Sequence, residues 1–195
     1  MRALLILLIF FNNFLLSAQL SYDNEIQSVV IESLLLKKVK KIKKTKVISI
    51  LDSTVSIKNH SWVFSDFESH IFSKPLNKLL FSKSKKAVKE LVSSSTSKKI
   101  DITSIKLKCQ KKELTKKYLN NLFESSSREG WKKFYKENKR SLGLIEFSSI
   151  SYYKGIAVLF ASHSYGGLGA TGDIYILKRI NNKWLIISQF NVYQA

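Results

Sequence analysis

Apolar and polar positions change rhythm several times along the chain, and each change marks an element. After Asp23-Asn24-Glu25, apolar residues recur at Ile26, Val29, Val30 and Leu34, a helical period behind a capping stretch. Val47–Leu51 is a short β-rich run, followed by a turn at Asp52-Ser53-Thr54 and a candidate partner strand at Val55-Ser56-Ile57. Residues 58–82 carry Trp62, Phe64, Phe67, Phe72 and Phe81 without a period, and hold the single proline, Pro75. They predict an irregular connection. A short helix is expected over 84–92, and the alternation over 100–107 predicts a strand. Leu114, Tyr118, Leu119, Leu122 and Phe123 form a helical stripe. A second short helix over 129–139 places Trp131, Phe134 and Tyr135 on one side.

From residue 142 onward the helical period gives way to strands. Segments 142–152, 156–161, 174–180 and 184–193 read as four of them, with Asn181-Asn182 between the last two. Asn tolerates the positive φ of a two-residue hairpin turn, so the segment predicts an antiparallel meander. Helices early and a sheet late make the class α+β, with the C-terminal meander packed against several short helices. The expected organisation is a segment 1–18, then a single domain over 19–195. That domain is helix-rich and Lys-rich over 19–140, with the β-meander over 141–195.

Residues 1–18 have the order of a secretory signal: Met1-Arg2, an apolar run at 3–11, Asn12-Asn13, Phe14-Leu15-Leu16, then Ser17-Ala18. Two Asn break the run short of the 18 or so apolar residues a bilayer span needs. The expected location is therefore periplasmic or extracellular, after cleavage near Ala18; an uncleaved N-terminal membrane anchor is the alternative. Apolar residues make up 45% of the chain, with 12 Phe and 8 Tyr, which excludes a disordered polyelectrolyte. The single Cys, Cys109, excludes an internal disulfide and any multi-cysteine metal site.

The C-terminal third resembles a known module. Trp131-x-x-Phe134-Tyr135 is followed by Ser141-x-Gly143-x-Ile145-x-Phe147-Ser148, then Gly172-x-x-Tyr175-x-Leu177 and Asn181-x-Lys183-Trp184. In that order they are similar to the C-terminal module of uncharacterised exported bacterial proteins. In those, a Gly-Leu/Ile-x-Phe-Ser strand, a Gly-rich loop and an Asn-Gly-Lys-Trp-like hairpin succeed one another. Asn182 stands here in place of the hairpin glycine. The resemblance covers residues 131–195 and implies a bacterial, exported, α+β protein. It implies no catalytic residues.

Several phrases invite a chemical reading. Ser162-His163-Ser164-Tyr165-Gly166-Gly167 comes after an apolar strand and is similar to the nucleophile elbow of α/β-hydrolases, with Ser164 as nucleophile. The elbow wants glycine where Ser162 stands, a helix where Gly166–Gly172 leads into a strand, and a later His that the chain lacks. Gly167-x-Gly169-x-x-Gly172 fits a dinucleotide fingerprint, yet residues 174–179 alternate like a strand rather than opening a helix. Both phrases predict a Gly-rich connection between strands. His60, Asp66 and His70 have no ligand-like spacing, and no metal or other cofactor is expected. Glu146 and Asp173 are the acids of the meander, with no evident pairing for acid–base work. Cys109 sits among Lys106, Lys108, Lys111 and Lys112, which would lower its thiol pKa if it were exposed; a small buried residue is the expectation.

Charge changes the functional picture most. The net charge is +19, and the excess lies ahead of the meander. Lys37, Lys38, Lys40, Lys41, Lys43, Lys44 and Lys46 fill a ten-residue tract without an acid, and 83–117 is a second basic block. Arg, the side chain suited to bidentate recognition, occurs beyond the signal only at Arg128, Arg140 and Arg179. Lys-rich, Arg-poor composition predicts diffuse attraction to anionic surfaces or polysaccharides and no sequence-specific nucleic-acid binding. The expectation is an exported, non-catalytic envelope or extracellular binding module with weak polyanion affinity. A secreted hydrolase using the segment 162–173 is the rival from another class.

Overall fold

The computed structural model describes residues 22–36, 46–57, 76–94, 96–167 and 169–194. Helix α1 covers residues 22–36. Strand β1 (Val47–Leu51), helix α2 (Lys78–Ser93), a 3-10 turn (Ile102–Ser104) and strand β2 (Gln110–Leu114) come next. Helices α3 (Lys116–Leu122) and α4 (Ser127–Glu137) then lead into strands β3 (Ser141–Phe147), β4 (Ser151–Tyr153), β5 (Ile156–Gly166), β6 (Gly169–Ile180) and β7 (Lys183–Gln194). All seven strands form one mixed sheet in the order β2-β1-β3-β5-β6-β7, with β4 paired to β5. The class is α+β.

The meander is antiparallel from β3 through β5 and β6 to β7. Its last turn is the two residues Asn181 and Asn182, both at positive φ (48° and 60°), between the paired Ile180 and Lys183. That twist suits a two-residue hairpin, and Asn adopts it at low cost. The expected strand over 142–152 is two strands, because Ser148 leaves the ladder. Its hydroxyl accepts from Phe160 N (2.9 Å) and donates to Ser149 O, so the side chain substitutes for ladder bonds. The Gly-rich connection is shorter than expected: β5 runs to Gly166 and β6 restarts at Gly169.

Alternation in β1, β3, β5 and β6 gives the sheet two apolar faces. On one, Ile48, Ile50, Ile145, Phe147, Leu159, Tyr175 and Leu177 meet Ile26, Val30, Ile31, Leu34 and Leu35 of α1. On the other, Val158, Phe160, Ile174, Ile176 and Phe190 meet Ala87, Val88 and Leu91 of α2. On that same face Leu51 and Leu144 pack with Leu119 and Leu122 of α3 and Phe134 of α4. Burying one such aliphatic side chain is worth about 1.5–3 kcal/mol, so these layers are the main stabilising term.

The front of the chain differs from expectation in several places: Asp23-Asn24-Glu25 lie inside α1 rather than ahead of it, and Leu114 ends β2 instead of opening the helical stripe. Val55–Ile57 is not a strand, and β1 has no hairpin partner; it pairs in parallel with both β2 and β3. Val55 instead donates its N–H to Phe147 O (2.7 Å), and Ile57 turns into the layer beneath α2. The segment 100–107 holds a 3-10 turn, not a strand. Asp101 bends it by accepting from Thr103 N (3.1 Å) and from the hydroxyls of Thr103 and Ser104, which buries Ile100, Ile102 and Ile105 together. Finally, α2 starts six residues ahead of the expected Ser84, because Asn77 caps it by accepting from Leu80 N (2.9 Å).

Helices α3 and α4 are short, and each is capped by a hydroxyl. Thr115 accepts from Tyr118 N (3.1 Å), and Ser126 accepts from Glu129 N (3.2 Å). Gly130 lets α4 sit against Phe123: a side chain there would meet Phe123 Cε1 at 2.7 Å. Among the described residues no helix is long and apolar enough to cross a membrane.

Candidate functional site

Of the seven tract lysines, Lys37, Lys38, Lys40, Lys41, Lys43 and Lys44 lie outside the described residues, as do His60, Asp66 and His70. Lys46 is described: it is half-buried just before β1, and its carbonyl accepts from Gln110 N (3.0 Å). The second basic block is exposed along α2, the 3-10 segment, β2 and α3, with Lys86, Lys89, Lys98, Lys99, Lys106, Lys108, Lys112, Lys116 and Lys117 at the surface. Lys111 is different. Its Nζ donates to Thr103 O (2.8 Å) and to Ile105 O, tying the 3-10 turn to the edge strand. Charged side chains on β2, an edge of the sheet, also discourage pairing with other chains.

Ser164 belongs to strand β5, opposite Leu144 of β3 and Ala170 of β6. A sharp strand-to-helix turn, which lifts a nucleophile clear of a sheet, is therefore not present at this serine. Successive strand residues point to opposite faces, so His163 is directed away from Ser164. Its Nε2 lies 2.7 Å from Leu142 O. Gly169 opens strand β6, which runs antiparallel to β5, and Gly172 lies within that strand rather than at the start of a helix. Cys109 is buried, as expected, and that burial pushes its thiol pKa up. Among the described residues no group of three His, Cys, Asp or Glu is placed to hold a metal ion.

The sheet separates the two acids of the meander. Asp173 lies on the α1 face, buried, accepting from Asn191 Nδ2 (3.0 Å) and from Tyr175 Oη (3.4 Å). Glu146 lies on the opposite face, where Ser162 donates to its Oε2 (3.2 Å). The ladder continues Glu146 to Ser162, Gly172 and Tyr193 in one row across four strands. Burial raises the Glu146 pKa above the ordinary carboxylate range, and the Ser162 hydrogen bond opposes that rise. Two acids on opposite faces cannot serve one general acid–base reaction.

The surface feature with chemistry suited to a polymer is on α4. Trp131 and Tyr135 are one turn apart and stack with ring centroids 5.8 Å apart and planes inclined at 29°. Phe123 and Phe134 hold the Trp131 ring edge-on from beneath, at 5.3 and 5.0 Å. Tyr135 Oη donates to Tyr165 O (2.9 Å), which pins the second ring to β5, and burial raises its pKa. Beside this pair runs a second i, i+4 pair, Arg128 and Lys132, and the four side chains with Gly167 line an open groove of about 650 Å³. Lys132 also reaches Glu129 at 2.8 Å, an exposed ion pair. The helical stripe is legible in the sequence, whereas its cationic border escaped the reading of the charge pattern. The visible sign is two i, i+4 pairs set three residues apart. No protein-family model, curated protein or solved structure matches the chain.

Proposed function

We propose that the protein is an exported, non-catalytic binding module that holds anionic polymers through its basic helical side. The observation that carries this reading is the Trp131–Tyr135 groove bordered by Arg128 and Lys132. Ring faces give a polymer's flat units something to lie on, and adjacent cations neutralise its charge. The exposed lysines of α2, β2 and α3 add a diffuse field that attracts polyanions without reading sequence. Export rests on the sequence of residues 1–18, and outside the cytoplasm such a field meets lipid head groups, acidic polysaccharides and released nucleic acid.

Heparin chromatography of the mature chain tests this. The wild type is expected to be retained and to elute at moderate salt. Replacing the seven lysines of the 37–46 tract by Gln should weaken retention, and adding Arg128→Gln with Lys132→Gln should weaken it further. Flow-through of the wild type at low salt would refute the reading. Retention unchanged in both variants would place the attraction elsewhere, in the basic block 83–117.

A further inference from the structure

The α4 groove is more selective than the charge around it. Trp131 is held by two edge-on rings, Phe123 and Phe134, and by the stack with Tyr135, yet it stays half-exposed. An indole fixed in this way keeps ring surface for a ligand and has lost the freedom to turn, so little ordering cost remains when a flat group settles on it. The open volume of about 650 Å³ lies within the roughly 300–1,000 Å³ of sites for drug-sized ligands, the size class of a nucleotide.

Three kinds of anionic polymer make different demands on such a groove. An acidic polysaccharide brings hydroxyls on every ring, and selecting them takes placed hydrogen-bonding groups such as amides and carboxylates. The lining has neither. Besides the aromatic pair and the two cations it holds Ser127 and Gly167, and the Tyr135 hydroxyl is committed to Tyr165 O (2.9 Å). A duplex brings phosphates, but its own stacking covers the faces of its bases. A single strand brings phosphates and uncovered bases together. Every base has a π-face, so stacking needs no hydrogen-bond partner from the protein and reads no sequence. The cations suit the phosphates. Arg128 has no carboxylate partner among the described residues. Lys132 is tied to Glu129 in an exposed pair, which a phosphate can replace at little cost.

We propose that the α4 groove binds single-stranded nucleic acid without reading its sequence, a base lying on Trp131 beside Tyr135 and the flanking phosphates at Arg128 and Lys132. The assignment rests on the polyanion reading above and narrows it to one polymer class. Arg128 and Lys132 stand one helical turn apart, so both cations meet the same stretch of backbone. The lysines of α2, β2 and α3 act at longer range and draw the strand in by charge.

The test compares the affinity of the mature chain for four probes: oligothymidylate of about 12 nucleotides, an abasic phosphodiester of the same length and charge, a duplex of that length, and heparin. The wild type is expected to bind oligothymidylate about tenfold more tightly than the abasic strand, the effect of roughly one stacked base. Trp131→Ala should erase that preference and leave affinity for the abasic strand, the duplex and heparin unchanged. Trp131→Phe, which keeps a ring, should restore part of it, and circular dichroism checks that both variants are folded. Arg128→Gln with Lys132→Gln should weaken both single strands alike and lower the salt slope of log affinity by about 1.4, the value for two phosphate contacts. Equal affinity of the wild type for the base-bearing and abasic strands would overturn the assignment to bases. So would a folded Trp131→Ala that keeps the preference, or one that loses heparin and duplex as much as oligothymidylate. In each of those cases retention on heparin leaves the polyanion reading standing; flow-through of the wild type at low salt refutes that reading as well.

Discussion

The ring of Tyr193 lies over Gly172 on the neighbouring strand, in the space that a side chain at position 172 would occupy. A Cβ there would collide with the Tyr193 ring and stand 2.8 Å from Cε2 of Phe160, a core ring that is 4% exposed. Gly172 therefore exists for close packing, and its place in a G-x-G-x-x-G phrase is incidental. Gly172→Ala is expected to destabilise the protein by about 1–3 kcal/mol, since the buried Phe160 ring has no room to withdraw. Gly169→Ala meets only the half-buried Tyr165 ring, so it should cost less. Thermal melts of the two variants should rank them in that order; equal melting temperatures would contradict it.

Glu146 supplies a pH signature. Burial raises its pKa in the folded state above the ordinary value of 4.5. The folded protein then binds a proton more readily than the unfolded chain, so this residue's contribution is most favourable when protonated. It is lost as pH rises from about 4.5 through the folded pKa. Glu146→Gln removes the ionisation and keeps an acceptor for Ser162. It is expected to stabilise the protein at pH 7 by about 1 kcal/mol, or roughly 2–4 °C in melting temperature, and to lose that advantage near pH 4. Denaturation at several pH values checks it; a gap that widens toward acid would reverse the sign.

Elements whose partners are close along the chain are legible in the sequence. The β6–β7 hairpin announces itself through Asn181-Asn182, and α1 through its apolar period, because in each the determining contacts lie within a few residues; Asp23-Asn24-Glu25 lie inside α1 rather than capping it. The parallel pairing of β1 with β2 and β3 is not legible. Val47 meets Gln110 on one side and Ser141 on the other, and no turn chemistry records such distant contacts. The 3-10 turn at Ile102 is hidden for a different reason: the pairs Ile100/Ile102 and Ile105/Leu107 imitate strand alternation, while the deciding interaction is the Asp101 side chain. Legibility of the sites divides in the same way. The aromatic stripe of α4 is local and visible. The meeting of α1 at Asp23 with the chain between Lys98 and Asp101, some 75 residues downstream, is a juxtaposition that no periodicity encodes.

The terminal hairpin can be improved. Both turn residues have positive φ, which glycine adopts with less strain than Asn. Asn182→Gly converts the turn to the favoured Asn-Gly pair and is expected to stabilise by about 0.5 kcal/mol. Asn181→Val, a β-branched residue forced into the left-handed region, should cost about 1–2 kcal/mol. Urea melts distinguish the two directions, and a stabilising valine would refute the turn assignment.

The α4 groove makes a spectroscopic prediction. Trp184 is 4% exposed, packed beside Tyr152 and Tyr22 at the far end of the hairpin, whereas Trp131 is half-exposed in the groove. In a Trp62→Phe background, polymer seated on α4 should quench Trp131 and leave the emission of Trp184 unchanged. Heparin and single-stranded nucleic acid separate two contributions. Both are attracted by the lysine field, but only planar bases stack on indole, at about 1–3 kcal/mol per base. Quenching by single-stranded nucleic acid is therefore expected to exceed quenching by heparin at equal charge. Raising salt should weaken both, because each neutralised phosphate or sulfate releases a counterion on binding. Arg128→Gln with Lys132→Gln removes the groove's own cations while Trp131 and Tyr135 keep their stack. That variant should bind several-fold more weakly and retain quenching at saturation. Equal affinity in the double variant would detach the polyanion field from the aromatic pair and leave α4 without a part in binding.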